Sequence, residues 1–217
     1  MKKVIDIISL TLIMSLIISM GYMGLEPEVV AAADVNDSVV VTLNVTAGIS
    51  ITSPADTPMS TTLGVGTNSA IATTTWNVKT NASGGYELAV KANTDPAMKH
   101  DAAIYVDDYT PGTPDIPETW SVSNTAEFGY SAYGTDTAVG SSGVDWGTGS
   151  NCGATSTPSA TLKYRDFTTV DFVIAARTAT TTTSGIDTTV CYAVEQNNFY
   201  VPAEIYTATI TATATTL

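Results

Sequence analysis

The sequence predicts an all-β protein, an antiparallel β-sandwich that follows a cleaved export signal. The segment 205–217 reads I-Y-T-A-T-I-T-A-T-A-T-T-L and alternates apolar or small residues with threonine, which is the period of a β-strand. Further short strand-like runs are separated by turns rich in Gly, Pro, Ser and Thr, and no helical periodicity follows the first 33 residues. Many short strands joined by such turns are typical of a sandwich rather than of a βαβ fold.

Residues 1–33 have the parts of a secretory signal in the expected order. Two lysines precede an apolar run from Val4 to Leu25, and three alanines ending at Ala33 supply a small-residue cleavage site. We expect cleavage after Ala33. The apolar run is long enough to span a bilayer, so a retained N-terminal anchor is the alternative. With no anchor expected after the terminal strand, we predict a protein that is secreted or displayed at the cell surface.

The chain from Asp34 onward is strongly acidic. Three of the 21 acidic and two of the 8 basic residues lie in the first 33, which leaves 18 acidic and 6 basic residues and a net charge of −12. This balance opposes binding to nucleic acids and to anionic membranes. We therefore predict no nucleic-acid partner and no stable membrane insertion of the processed chain.

The first predicted strand follows the signal. Residues 38–45 alternate and place four apolar side chains on one face, those of Val39, Val41, Leu43 and Val45. A short segment at 48–52 adds one more candidate strand. A stretch rich in Pro, Thr and Gly then separates these segments from the next strand.

A β-hairpin is predicted between residues 71 and 92. Its first strand ends at Thr80, the turn is N-A-S-G-G at 81–85, and alternation resumes after it. The expected inward residues are Trp76, Val78, Tyr86, Leu88 and Val90.

The remaining elements complete the predicted sandwich. Residues 95–120 are acidic and interrupted by prolines, which indicates a long excursion with one brief strand at 103–106. An aromatic hairpin is predicted from 120–122 and 128–133, and a Gly/Ser-rich loop follows it. Later strands are predicted at 161–164, 168–179, 188–196 and 205–217. We interpret 34–217 as a single elaborated domain with an Ig-like or related layout.

The hairpin sequence resembles a pattern of small bacterial cell-surface β-sandwiches. In these proteins a strand that ends in V-x-T-N meets a G-Y that opens the next strand, as W-N-V-K-T-N-A-S-G-G-Y-E-L does at 76–88. The segment V-P-A-E-I-Y-T-A-T-I at 201–210 is similar to the second half of that pattern. The resemblance implies a surface location and is uninformative about a ligand.

The layout is also distantly similar to WxL-type cell-wall-binding domains, which implies non-covalent attachment to peptidoglycan. The terminal strand has Ala and Thr where that family places its distal Trp-x-Leu, and Trp76-Asn77-Val78 is only a near match to the proximal one. None of the family's binding residues is therefore carried over to this chain.

The two cysteines, Cys152 and Cys191, are predicted to form a disulfide. An even number of cysteines in an exported chain is most often bonded. A reactive thiol is the alternative, and a zinc site would lack ligands because His100 is the only histidine.

Acidic residues in the 95–120 excursion are candidate calcium ligands. Hard oxygen ligands on a flexible backbone suit calcium, although the spacing matches no known calcium loop, and a solvated acidic loop is the alternative. The candidates are Asp101, Asp107, Asp108 and Asp115.

The sequence contains no grouping of residues that indicates catalysis. His100 lies in a polar segment, and no nucleophile turn accompanies it. We predict that the protein is not an enzyme and needs no cofactor; an exported hydrolase would require a carboxylate pair that sequence cannot reveal. Aromatic residues concentrate in the middle third, and both a binding patch and a buried core explain them. They are Tyr105, Tyr109, Trp120, Tyr130, Tyr133 and Trp146.

These observations favour a secreted, non-enzymatic structural protein of the surface or extracellular matrix, with a self-assembling filament subunit as the specific form. Its partners would be other copies of itself or cell-surface components. The alternative is a monomeric module that binds glycans or cell wall. If the protein polymerises, the segment 34–45 is the predicted assembly strand, because Val39, Val41, Leu43 and Val45 suit strand addition to a neighbour's sheet. Otherwise this segment is the first strand of its own sandwich.

Overall fold

The computed structural model describes residues 11–15, 38–122, 126–137 and 144–217, and it divides into two units, 1–44 and 45–217. Within the first unit, 11–15 is helical and 38–44 has no regular structure. The rest of the predicted signal at 1–33 lies outside the described residues, so export stays a prediction. Of the residues described, none belongs to a helix long and apolar enough to cross a bilayer.

The second unit is all-β and sandwich-like, as the sequence predicts. Its strands are β1 Ile49–Ile51, β2 Ser69–Thr80, β3 Tyr86–Ala92, β4 Met98–Lys99, β5 Tyr105–Asp108, β6 Glu118–Thr119, β7 Ala126–Gly134, β8 Gly153–Ala154, β9 Thr157–Pro158, β10 Lys163–Tyr164, β11 Phe172–Arg177, β12 Ile186–Gln196 and β13 Ile210–Thr216. A single 3-10 turn at Thr135–Thr137 follows β7.

The larger sheet has six strands in the order β1-β2-β12-β7-β5-β4. Its centre is β12, which pairs antiparallel with β2 and with β7 along nearly its whole length. Thr188, for example, lies opposite Trp76 on one side and Gly134 on the other. The short pairing of β5 with β7 is parallel and is the exception to the antiparallel pattern.

The second sheet has only three strands, in the order β11-β3-β13. Strand β13 runs antiparallel to β3, with Ile210 opposite Ala92 and Thr216 opposite Tyr86. Two small ladders, β6 with β10 and β8 with β9, lie outside these sheets.

The predicted hairpin does not form, because β2 pairs with β1 and β12 in the larger sheet, whereas β3 pairs with β11 and β13 in the smaller one. The turn at 81–85 instead leads the chain from one sheet to the other, and the two strands supply much of the core. β2 and β3 carry the inward side chains, and the turn between them depends on Gly85, whose φ is +86°. The five predicted inward residues are at most 6% exposed: Trp76, Val78, Tyr86, Leu88 and Val90. They pack with side chains of the facing strands β7, β11 and β12.

Three further strand predictions were wrong in detail. Residues 38–45 belong to no strand, although their alternation is typical of one. The predicted aromatic hairpin does not form, because β7 pairs with β12 and β5, while β6 pairs with β10. Val170 lies before β11 begins and is 71% exposed. In each case strand-forming residues are present, and the choice of partner depends on contacts remote in sequence.

The predicted disulfide between Cys152 and Cys191 is confirmed. It ties the loop before β8 to the middle of β12, with 5.2 Å between the two Cα atoms. Both cysteines are buried in a second apolar cluster, on the outer side of the larger sheet, together with Tyr109, Leu162 and Tyr164.

Candidate functional site

An open groove runs beside β13, and it is the main candidate site in the second unit. Strand β3 pairs with one edge of β13, and within the described part of the chain no strand pairs with the other edge. Among the described strands, three therefore cover a sheet of six, and none of them covers the part of the larger sheet's inner face beside β13.

The groove has two continuous parts, with volumes of about 1060 and 1080 Å³. The segment 51–65 forms one wall, and the segment 200–212 forms the other. Met98, Met59 and Tyr206 line both parts, which shows that the parts are continuous. The floor is provided by inward residues of β2, β7 and β12, namely Ala70, Ala72, Thr74, Trp76, Phe128, Tyr192 and Val194.

The groove exists because small residues occupy positions where a filled core needs large ones. The floor residues Ala70, Ala72 and Thr74 follow one another along the inner face of β2. On the other side, Ala208 and Ala212 flank Ile210, and all three are only partly buried against the core. Short side chains on both walls leave apolar volume that no described residue fills.

Beyond Ile51, the last residue of β1, prolines interrupt the wall opposite β13 and oppose its continuation as a regular strand. The segment 51–65 contains Pro54 and Pro58, which have no N–H to donate. It is nevertheless attached to β2, because the backbone N–H of Ser60 donates to the carbonyl of Ile71 and the Ile71 N–H donates to the Ser60 hydroxyl. The groove therefore has a fixed wall that offers no continuous strand edge.

Asn81 holds the chain where it enters the second unit. Its side-chain amide donates to the carbonyl of Thr46 at 2.9 Å, and its Oδ1 accepts from the N–H of Gly48 at 2.6 Å. The hydroxyl of Thr80 donates to the carbonyl of Gly48. Thr80 and Asn81 are the last two residues of the V-x-T-N pattern, so that pattern fixes the path of residues 46–48.

The predicted assembly residues form an uncovered apolar surface. Val39, Val41, Leu43 and Val45 are 83%, 89%, 84% and 73% exposed. Four large aliphatic side chains at alternate positions are seldom left in water unless a partner covers them.

The structure does not bring the four calcium candidates together, and it gives three of their carboxylates a partner within the protein. Asp101 accepts hydrogen bonds from the N–H groups of Ala103 and Ile104, which hold its pKa below the usual range. The carboxylate of Asp115 lies 3.1 Å from the guanidinium of Arg165. Asp107 is exposed on β5. Across the described ranges no group of three or more His, Cys, Asp or Glu side chains is arranged to hold a metal ion.

Asp108, the fourth candidate, has the most perturbed carboxyl group of the four. Burial raises its pKa to about 7, and the charges of Asp95 and Asp166 add to the effect. The N–H of Ala97 donates to the carboxylate and partly opposes the shift.

Most of the aromatic residues of the middle third are core residues rather than a surface patch. Trp120 stacks on Tyr109 at 4.7 Å and meets Tyr164 edge-on. Tyr130 stacks on Phe167 at 4.2 Å, and burial raises the pKa of its hydroxyl. Tyr105, by contrast, is 41% exposed.

Sequence reasoning missed a buried cation. Arg165 is 1% exposed, and its guanidinium lies 3.6 Å from the centre of the Phe172 ring and pairs with Asp115 and Asp166. An arginine in a loop gives no signal of burial in a single sequence. The second buried charge, Asp136, accepts from the Tyr86 hydroxyl and pairs with Arg177.

His100 has structural contacts only. Its Nδ1 lies 3.2 Å from the carbonyl of Ile205, and its Nε2 lies 3.9 Å from the carboxylate of Glu204. It is thus associated with the groove wall at 200–212.

The comparisons with known proteins add no relative: no family model, no curated protein and no solved structure matches this chain.

Proposed function

We propose that the protein is a secreted, non-enzymatic structural protein of the cell surface or extracellular matrix whose copies assemble with one another. The observation that carries the proposal is the groove beside β13, where an apolar interior opens along an unpaired strand edge. An unpaired edge next to an unfilled core is a ready template for another chain.

The edge strand lacks the features that usually prevent association. Edge strands are commonly protected by charged side chains, by proline or by a bulge. The segment 205–217 contains no charged residue and no proline, and its pairing with β3 is regular throughout. Beyond the signal the chain has a net charge of −12, so copies of it repel one another. A neutral surface such as this one is where they can approach.

A monomeric module that binds glycans or cell wall is the second candidate. It is favoured by Phe199 and Tyr200, which are 67% and 61% exposed, and Tyr200 lines the second part of the groove. Exposed rings of this kind suit contact with sugars.

Size-exclusion chromatography and negative-stain microscopy of the exported protein test the proposal. We expect concentration-dependent oligomers and elongated particles, together with no more than weak co-sedimentation with purified peptidoglycan. A protein that remains monomeric at all concentrations and co-sediments with peptidoglycan would instead establish the second candidate.

A further inference from the structure

We infer that residues 38–45 of one copy insert into the groove of a second copy and complete its three-stranded sheet as a fourth strand beside β13. The inference rests on the proposed self-assembly and specifies how it occurs. It joins two uncovered apolar features of the described chain, the groove and the segment that carries Val39, Val41, Leu43 and Val45.

The spacing of the inserted segment matches the strand that it would join. Its four apolar side chains occupy alternate positions over seven residues, which span about 20 Å in an extended chain. Beside the groove the inward residues are Tyr206, Ala208, Ile210 and Ala212, also four at alternate positions. A strand added beside β13 would therefore place one large side chain next to each of these positions.

Side-chain volumes are complementary as well. The groove is lined mainly by alanine and threonine along β2 and β13, whereas the segment offers three valines and a leucine. Insertion would place these side chains over Trp76, Phe128 and Tyr192, which are the large residues of the floor. The large residues missing from the core of one copy are thus present on the uncovered segment of another.

The two segments that would pair are free of charged residues, and the charged residues that line the groove, Asp56 and Glu204, lie outside both segments. Residues 38–50 and 205–217 contain no Asp, Glu, Lys or Arg. Pairing these two segments buries no unpaired charge and avoids the like-charge repulsion that acts elsewhere between acidic copies.

The hydrogen bonds of Asn81 with residues 46 and 48 favour insertion of the segment 38–45 into another copy over insertion into the groove of the same copy. Filling its own groove would require the chain to reverse between Val45 and β1. The side chain of Asn81 instead donates to the carbonyl of Thr46 and accepts from the N–H of Gly48, as the backbone of a neighbouring strand would. This pair of hydrogen bonds requires an extended backbone from Thr46 to Gly48. A tight hairpin turn at Gly48 would require a positive φ at that residue. The φ of Gly48 is not positive.

Cross-linking between two variants that each carry one added cysteine, besides the disulfide of Cys152 with Cys191, provides the direct test. Thr42→Cys lies between two inserted side chains and faces outward, and Thr209→Cys or Thr211→Cys lies on the outward face of the receiving strand. Mixing a Thr42→Cys copy with a Thr209→Cys or a Thr211→Cys copy under oxidising conditions is expected to give a disulfide-linked dimer on a non-reducing gel. Thr178→Cys, beyond the opposite edge of the same sheet, is the control and is expected to give none.

Charge substitution provides the functional test. We expect Val41→Asp/Leu43→Asp to weaken association by about a hundredfold or more, because two buried aliphatic contacts are replaced by carboxylates. Val40→Asp/Thr42→Asp adds the same charge on the opposite face of the segment and should assemble nearly as the parent does. All four side chains are exposed in the single chain, so the melting temperature of the monomer should be unchanged in both variants.

The outcomes separate the two proposals. If filaments form while Val41→Asp/Leu43→Asp assembles normally and no cross-link appears, the inserted strand is wrong and self-assembly stands. A monomeric Thr42→Cys/Thr209→Cys protein that cross-links only within one chain overturns the exchange between copies. A parent protein that never associates overturns both.

Discussion

At the scale of single residues, Asp108 is expected to make stability depend on pH. Its pKa is about 7 in the folded protein, because of burial and the nearby charges of Asp95 and Asp166, and about 4 in an unfolded chain. Between about pH 4 and pH 7 the folded state therefore binds more protons than the unfolded state. The free energy of unfolding contributed by this group falls as the pH rises through that range.

Asp108→Asn is expected to flatten this pH dependence while its Oδ1 still accepts from Ala97. Urea unfolding at several pH values between about 4 and 7 measures the slope. Asp107→Asn, the exposed neighbour on the same strand, is the control. An equal slope in the parent and in Asp108→Asn would show that Asp108 is not the source.

At the scale of elements, the turn that leads from β2 in the larger sheet to β3 in the smaller one depends on the close approach of Gly85 to the end of β11. A Cβ at this position would lie 1.9 Å from the carbonyl oxygen of Arg177, and the φ of +86° is itself unfavourable for other residues. We expect Gly85→Ala to lower the free energy of unfolding by about 3 kcal/mol or more.

Chemical denaturation of Gly85→Ala and of Ser83→Ala, an exposed position in the same turn, measures this effect. Ser83→Ala should change the free energy by less than about 0.5 kcal/mol. Equal stability of the two variants would show that the turn can relax around a side chain.

The elements that sequence could predict are those whose signal is local. The alternation of β2 and of β3 and the Gly-Gly turn between them lie within about twenty residues, and they predict two strands joined by a turn. They do not show that the two strands belong to different sheets, because that depends on partners remote in sequence. The position of β12 between β2 and β7 could not be predicted, because a strand's own alternation does not identify its neighbours. For the same reason the alternation at 38–45 indicates a strand-forming segment without showing which sheet it joins.

The groove could not be predicted from the sequence, although one sign of it is present there. Its signal is the run of small residues on the inner face of β2, where Ala70, Ala72 and Thr74 precede Trp76. Recognising this unfilled volume requires knowing that β13 has one neighbour, β3, among the strands that the structure describes, and this depends on the whole topology. The hydrogen bonds of Asn81 with residues 46 and 48 could not be predicted either, because the V-x-T-N pattern indicated a family resemblance and not a hydrogen-bonding role.

At the scale of the whole molecule, the disulfide connects regions that the sheets leave loosely joined. Closing a loop of 39 residues between Cys152 and Cys191 is worth about 4 kcal/mol on the chain-entropy estimate. Cys152→Ala/Cys191→Ala should reduce the free energy of unfolding by about that amount, as measured by urea titration.

Alkylation of the parent protein without reductant is the matching control. Because both cysteines are bonded, intact-mass analysis should show no added label. An unchanged urea midpoint in the double variant would mean that the loop is ordered by its packing alone.

The hydrogen bonds of Asn81 with residues 46 and 48 also have a consequence for the arrangement of copies in a polymer. Residues 46–48 are held beside the β2–β3 turn, and the N–H of Leu217 donates to the carbonyl of Gly85 in that same turn. The segment that inserts into the next copy therefore leaves its own copy at one end of β13. The groove extends away from that end toward Tyr200. A polymer joined by such contacts is directional, because every link is head-to-tail and no two-fold symmetry relates neighbours. One terminus would display an empty groove and the other a free segment, so growth and capping at the two termini would follow different chemistry.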